Sequence, residues 1–210
     1  MLTLVRHAAT EWSSVRYCGR TDVPLSRAGR AQLGPLVDYL SAVTPADTTV
    51  IASPARRSRE TALAITAALG GRIRADERLR EIDFGDAEGL TFVEVERRWP
   101  RLASALLRDD AAVDWPGGER WSDFEARVAA AWRDLTAEPR GSIVVTHGGP
   151  LRLLLRLALP RWPARLPTLL GPAHVVRLVN EDGWTVETSS TDLERAGEGE
   201  PQLKVGGRHS

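Results

Sequence analysis

Short apolar runs alternate with stretches of helical spacing along this chain, and that alternation constrains its fold more than any other feature. Residues 2–6, Leu-Thr-Leu-Val-Arg, are apolar enough and rich enough in strand formers to make a buried strand. Residues 48–52 and 142–146 read the same way, and residues 72–75 suggest a further short strand. Between them, residues 26–40 carry Leu33, Leu36, Val37 and Leu40 on one helical face, with Ser26 as N-cap. A second helix, 56–69, follows Ser53-Pro54 and is closed by Gly70-Gly71. Helices are also predicted over 91–97, 101–108, 119–137 and 150–159. Two late strands, 175–179 and 185–187, form a hairpin around Asn180-Glu181-Asp182-Gly183. Strands in alternation with helices point to an α/β fold: a three-layer α/β/α sandwich with a mostly parallel central sheet.

The 210 residues suit one compact core. From about Asp192 the chain turns polar and glycine-rich without periodicity, so a domain over 1–190 and a mobile tail over 191–210 are expected. The 28 basic and 28 acidic residues cancel, which leaves no global field to favour nucleic acid or an anionic membrane. The most apolar segment, 151–159, is broken by Arg152 and Arg156 and is too short to span a bilayer. The opening residues read as a strand rather than a secretory leader. Cys18 is the single cysteine, so no internal disulfide can form, and a reducing, cytoplasmic setting is expected.

Chemistry-bearing residues stand where strands end. Arg6-His7 closes the first strand and Thr146-His147-Gly148-Gly149 follows the later one. Open α/β sheets bind ligands beyond the carboxyl ends of their strands, so two such histidines can share one pocket. Alone, each histidine reads more simply as structural. With Arg6 and the arginine-rich helix start after Ser53, the pattern reads as an anion site, because guanidinium forks and helix N-termini both match phosphate oxygens. Four histidines without paired ligand spacing argue against a metal site. His174 is assigned to a strand, His209 to the tail, and the tryptophans to the core or the pocket rim.

Ordered blocks of the sequence resemble the histidine phosphatase superfamily, which includes the cofactor-dependent phosphoglycerate mutases. Residues 4–12, Leu-Val-Arg-His-Ala-Ala-Thr-Glu-Trp, are similar to its Arg-His-Gly-x-Thr signature. The likeness continues through 16–26 with Gly29, 53–62, 79–85 with Glu88-Gly89, 116–119 and 146–149. The resemblance implies a phosphoglycerate mutase-like fold and an enzyme that forms a phosphohistidine. It assigns His7 as nucleophile, Arg6, Arg57 and His147 as grips on the phosphoryl oxygens, and Glu81 as proton donor. Arg57 is preferred because the matching arginine stands four residues before Thr61, whereas Arg56 and Arg59 are expected to be solvated. Thr10, Ser13, Gly19 and Gly148 are implied substrate contacts. Neither metal nor organic cofactor is required, because cationic side chains carry the charge stabilisation.

Three positions depart from the common pattern: Ala8 replaces glycine, Ala9 replaces glutamate and Ser13 replaces the asparagine of the mutases. The mutases' lysine aligns with Phe92 and the tyrosine before it with Phe84, and no lysine precedes Lys204. The sequence therefore favours a metal-independent phosphatase acting on a small-molecule phosphate ester. A phosphoglycerate mutase and a catalytically silent phosphate-binding module are the alternatives. The alcohol half of the substrate and the oligomeric state, a homodimer included, stay open at this point.

Overall fold

The structure is a computed structural model that describes residues 1–108, 112–138, 141–161 and 170–189. Six strands form one sheet in the order β3-β2-β4-β1-β5-β6. They are β1 (Leu2–Arg6), β2 (Val50–Ala52), β3 (Ile73–Ala75), β4 (Ser142–Thr146), β5 (Val175–Asn180) and β6 (Trp184–Ser189). Strands β3, β2, β4 and β1 run parallel, and β5 is antiparallel to both β1 and β6. Mostly parallel sheets need cover on both faces, because crossover helices pack on each side.

The residues of β1 show how that cover is achieved. Leu2 and Leu4 join one core and Val5 the other, since successive side chains in a strand point to opposite faces. On the Val5 side lie α1 (Arg27–Val43) and α2 (Arg56–Leu69), which contribute Leu36, Leu40, Ala62 and Ile65. On the Leu4 side lie α5 (Trp121–Ala137) and α6 (Gly148–Ala158), with Phe124, Val128, Leu151 and Leu154. The three-layer sandwich read from the alternation is thus the observed architecture.

Two shorter helices, α3 (Phe92–Arg98) and α4 (Pro100–Leu106), and two single 3-10 turns, Glu77–Leu79 and Gly85–Ala87, fill the excursion between β3 and α5. Thr91 caps α3 with a full capping box completed by Glu94. The 3-10 turns carry no apolar period and were not among the predicted elements. Helix α5 begins at Trp121 rather than at 119, and α6 at Gly148 rather than at 150, with His147 as its N-cap. His174 stands just before β5 rather than in it; its carbonyl accepts the amide of Arg6 at 2.9 Å. The expected tail, 191–210, with Lys204 and His209, lies outside the described residues. Among the described residues no helix is long and apolar enough to cross a membrane.

Helix α1 is anchored to the strand end that carries His7. The Ser26 hydroxyl accepts from the Gly29 amide at 2.9 Å and donates to the Ala9 carbonyl at 3.2 Å. Gly29 allows this approach: a Cβ there would lie 1.9 Å from the Ala9 carbonyl oxygen, and that backbone cannot move without disturbing the turn after His7. Gly29→Ala is therefore expected to destabilise the fold by about 1–3 kcal/mol, the usual cost of overpacking. Urea unfolding should show a lower midpoint at unchanged slope; an unaltered midpoint would show that α1 slides freely along the turn.

Candidate active site

Strand register creates the site. Arg6 pairs with Thr146 across β1 and β4, so the next residues, His7 and His147, emerge side by side. Ala52 pairs with Val145 across β2 and β4, which sets Ser53 beside them. The amides of His7 and Ser53 extend the ladders by one bond each, to Thr146 O and Val145 O at 2.9 Å. The two imidazole centroids are 5.0 Å apart, with ring planes inclined at 64°.

The two rings are held differently. His7 Nδ1 lies 2.7 Å from the Ala8 carbonyl oxygen, which can only accept, so Nδ1 carries the hydrogen and Nε2 keeps the lone pair. His147 Nδ1 receives the Nε hydrogen of Arg57 at 3.1 Å, which leaves the proton on Nε2, 2.7 Å from the Ser53 hydroxyl. Burial, with the Arg57 guanidinium adding to it, holds both imidazoles well below their ordinary pKa. Both rings are accordingly neutral near pH 7.

Arg57 is almost wholly buried, at 1% exposure, whereas Arg56 and Arg59 are exposed. Its Nη1 donates to Thr21 O at 2.9 Å, and Nη2 to Cys18 O and Gly19 O at 3.0 and 2.9 Å. The opposite edge of that loop is held by Glu88, whose carboxylate accepts from the Gly19 and Arg20 amides at 2.9 and 2.8 Å and from the Thr21 hydroxyl at 2.8 Å. Gly19 is thus enclosed between Glu88 and Arg57; a Cβ there would come within 2.2 Å of Ile82 O.

Arg6, His7, Thr10, Ser13, Glu81 and Gly148 line a cavity of about 360 Å³. Arg57, His147 and Gly19, which the resemblance also nominated, are buried next to it, with Arg57 bonded to His147 Nδ1 and to Gly19 O. Arg6 donates through Nη1 to the Leu170 carbonyl, while its buried Nε has no hydrogen-bond partner among the described residues. A buried unpaired donor on a cationic group is costly, and at this position it suits an anion in the cavity. The N-terminus of α6 opens on the same cavity and favours negative charge there. Thr10 and Ser13 are tied into one turn, with the Thr10 amide donating to Ser13 Oγ at 2.9 Å.

Glu81 is buried, and its carboxyl accepts from the Gly149 and Ile82 amides, both at 3.1 Å. Burial raises its pKa despite these amides and the nearby cations Arg57 and Arg6. Gly149 rather than Gly148 is the residue that meets this carboxyl; a Cβ on Gly149 would lie 2.3 Å from Glu81 Oε1. Among the described residues there is no cluster of three or more His, Cys, Asp or Glu side chains suited to hold a metal ion.

Several contributors were not singled out from sequence. Ser53 Oγ accepts from His147 Nε2 at 2.7 Å, Thr61 accepts the Ala8 amide at 3.1 Å, and Glu88 braces the 18–21 loop. Arg16 and Arg152 add cations to the cavity wall, and Trp12, Tyr17 and Phe84 give it an aromatic side. The sequence signal for Ser53, Thr61 and Glu88 was present, since each lies in a matched block, but their partners are distant along the chain.

Comparison with known proteins agrees with this geometry. The family description "Histidine phosphatase superfamily (branch 1)" matches residues 2–192. A bifunctional protein of Mycobacterium tuberculosis is 35% identical over 199 residues; the match covers 87% of this chain but 54% of that protein, so the chain spans about half that relative's length. Phosphoglycerate mutase-like protein 4 of Arabidopsis thaliana is 32% identical over 191 residues, covering 89% of this chain and 83% of its own. A mycobacterial glucosyl-3-phosphoglycerate phosphatase solved with VO3 superposes with a TM-score of 0.74 at 31% identity, over 89% of this chain and 96% of that one. With the paired histidines, the buried arginine and the buried glutamate in place on this fold, the chain belongs to the histidine phosphatase superfamily.

Proposed function

We propose that this protein is a metal-independent phosphatase that hydrolyses small phosphate monoesters through a phosphohistidine on His7. The observation that carries the reading is the state of His7. Its Nδ1 is committed to the Ala8 carbonyl, so the basic Nε2 belongs to a ring that lines the cavity beside Arg6, whose Nε is unpaired among the described residues. In the first step His7 Nε2 attacks phosphorus as the ester P–O bond breaks, and the departing alkoxide takes the proton of Glu81. In the second, ionised Glu81 removes a proton from water, the water oxygen attacks phosphorus, and the P–N bond breaks to release phosphate and neutral His7. Arg6 and the α6 N-terminus balance charge on the equatorial oxygens. Arg57 and His147 support this through one another and through the field they set at His7.

Mutase activity is the second reading, and a specific observation favours it. Arg16 and Arg152 line the cavity, so its wall is cationic although it holds no lysine. Against it stands Phe84 on the same wall, an apolar ring at the position aligned with the mutases' tyrosine. The deciding assay supplies 3-phosphoglycerate with a catalytic amount of the bisphosphate primer and follows isomer exchange and free phosphate together. Phosphate release should outrun exchange; the reverse order would establish a mutase.

The nucleophile is tested by trapping. His7→Ala should abolish turnover, and denatured wild-type enzyme quenched during turnover should carry acid-labile phosphate on His7. Label on His147 instead would overturn the assignment. The donor is tested through pH and leaving group. Because burial raises the Glu81 pKa, its proton persists above the ordinary carboxylate range and is lost as pH rises, so turnover of alkyl phosphates should fall on the alkaline side. Glu81→Gln should remove that limb and cost about a hundredfold or more with alkyl phosphates, while the phosphorylation step with nitrophenyl phosphates suffers less. Equal losses on both substrates would show that another group supplies the proton.

A further inference from the structure

We propose that Arg127, braced by Glu119, is the positioning residue for the proton donor, fixing the backbone on both sides of Glu81; this rests on the reading of Glu81 given above. The segment 78–83 carries Glu81 but belongs to no strand or long helix, so its carbonyls lack ladder partners and need others if buried. Thr146 Oγ1 donates to Leu79 O at 2.7 Å. Arg127, projecting from α5, meets the carbonyls around it: Nη1 donates to Arg78 O and Arg80 O, both at 2.7 Å, and Nη2 to Glu81 O at 3.0 Å.

The two remaining hydrogens of the guanidinium go to Glu119. Nε donates to Oε1 at 2.6 Å and Nη2 to Oε2 at 2.9 Å. All five donors of Arg127 are thereby used. Glu119 completes the brace by accepting the Asp83 amide at 3.2 Å and donating its own amide to Asp83 O at 3.0 Å. Burial alone would raise the Glu119 carboxyl, but the hydrogen bonds and charge of Arg127 outweigh it and hold the group below its usual pKa, ionised and fixed. The guanidinium also rests on the Phe124 ring, 4.9 Å from its centroid, and Phe124 is core. The carbonyls of residues 78, 80 and 81 and the amide of residue 83 are therefore referenced to α5, while the carboxyl of Glu81 meets the first turn of α6.

Only a planar fork can serve three carbonyls and a carboxylate at once. A lysine ammonium keeps the charge but has three donors at a single point. Arg127→Lys and the milder Glu119→Gln should therefore leave a folded enzyme whose proton donor is displaced. Single-turnover phosphorylation is measured with an alkyl phosphate and with nitrophenyl phosphate, with inhibition by inorganic phosphate as the check on the phosphoryl site. The expected result is a loss of about tenfold with the alkyl ester, a much smaller loss with the aryl ester and unchanged inhibition by phosphate. In the Glu81→Gln background the same two substitutions should cost little more with the alkyl ester, because the group they position is already gone. Equal losses on both esters, or full additivity with Glu81→Gln, would overturn the proposal while the donor assignment stood. If Glu81→Gln itself showed no dependence on leaving group, the donor assignment would fall and this proposal with it.

Discussion

A guanidinium buried at the carboxyl edge of the sheet sets the conditions for everything around it. Taking a charge out of water costs several kcal/mol or more, so the Arg57 group persists only because its surroundings donate acceptors to it. Those acceptors are three carbonyls of the 18–21 loop and one nitrogen of His147. Each is constrained in turn: the loop by the Glu88 carboxylate on its amide edge, His147 by the Ser53 hydroxyl. The unbroken path from Glu88 through the loop and Arg57 to Ser53 joins the excursion after β3 to the centre of the sheet.

Burial sets the protonation of the two rings, and the same cation adds to it. Two imidazoles 5.0 Å apart beside Arg57 and Arg6 cannot readily accept protons, and burial pushes the same way. The carboxyl on the other wall is affected oppositely. Nearby cations would favour its ionised form, yet desolvation outweighs them and favours the acid. A neutral imidazole and a carboxyl displaced toward its acid form thus face one cavity whose wall also carries Arg6, Arg16 and Arg152, which suits the proposed phosphate ester. Opposite displacements of base and acid are what proton-coupled transfer near neutral pH requires.

The fold was legible because its signals are local. Ser26 caps α1 as read, α2 runs from Arg56 to Leu69 as bounded by Pro54 and Gly70, and β4 spans the predicted residues. The excursion between β3 and α5 was less legible, since single 3-10 turns carry no period and are fixed by side chains far away in sequence. The site divides in the same manner. His7, Glu81 and Arg6 share the cavity that the ordered blocks suggested, and Arg57 is the buried arginine of its cluster. Sequence position did not show how deep each would sit: Arg57 and His147 are almost wholly buried. Arg152 and Arg16, which sequence position did not single out, reach the wall through the phase of α6 and the course of the 10–18 turn.

The architecture separates two tasks. Parallel strands β1, β4 and β2 end in register, and that register alone brings His7, His147 and Ser53 together. The proposed phosphoryl chemistry is therefore tied to the most buried part of the molecule, where β1 and β4 are covered on both faces. The facing side of the cavity, where the proposed leaving group would sit, is built largely from the excursion instead. Phe84 stands 4.6 Å from Trp115 and 5.1 Å from Tyr17, ring centroid to centroid, and Trp115 lies 5.0 Å from Tyr17, so the aromatic wall packs on itself at the margin of the core. Side chains on that wall can differ without altering strand register, while Glu81 must stay fixed because it serves both sides. That demand is the physical reason to brace an irregular segment with a five-donor guanidinium, since a loop left to its own hydrogen bonds would move with the specificity wall it adjoins.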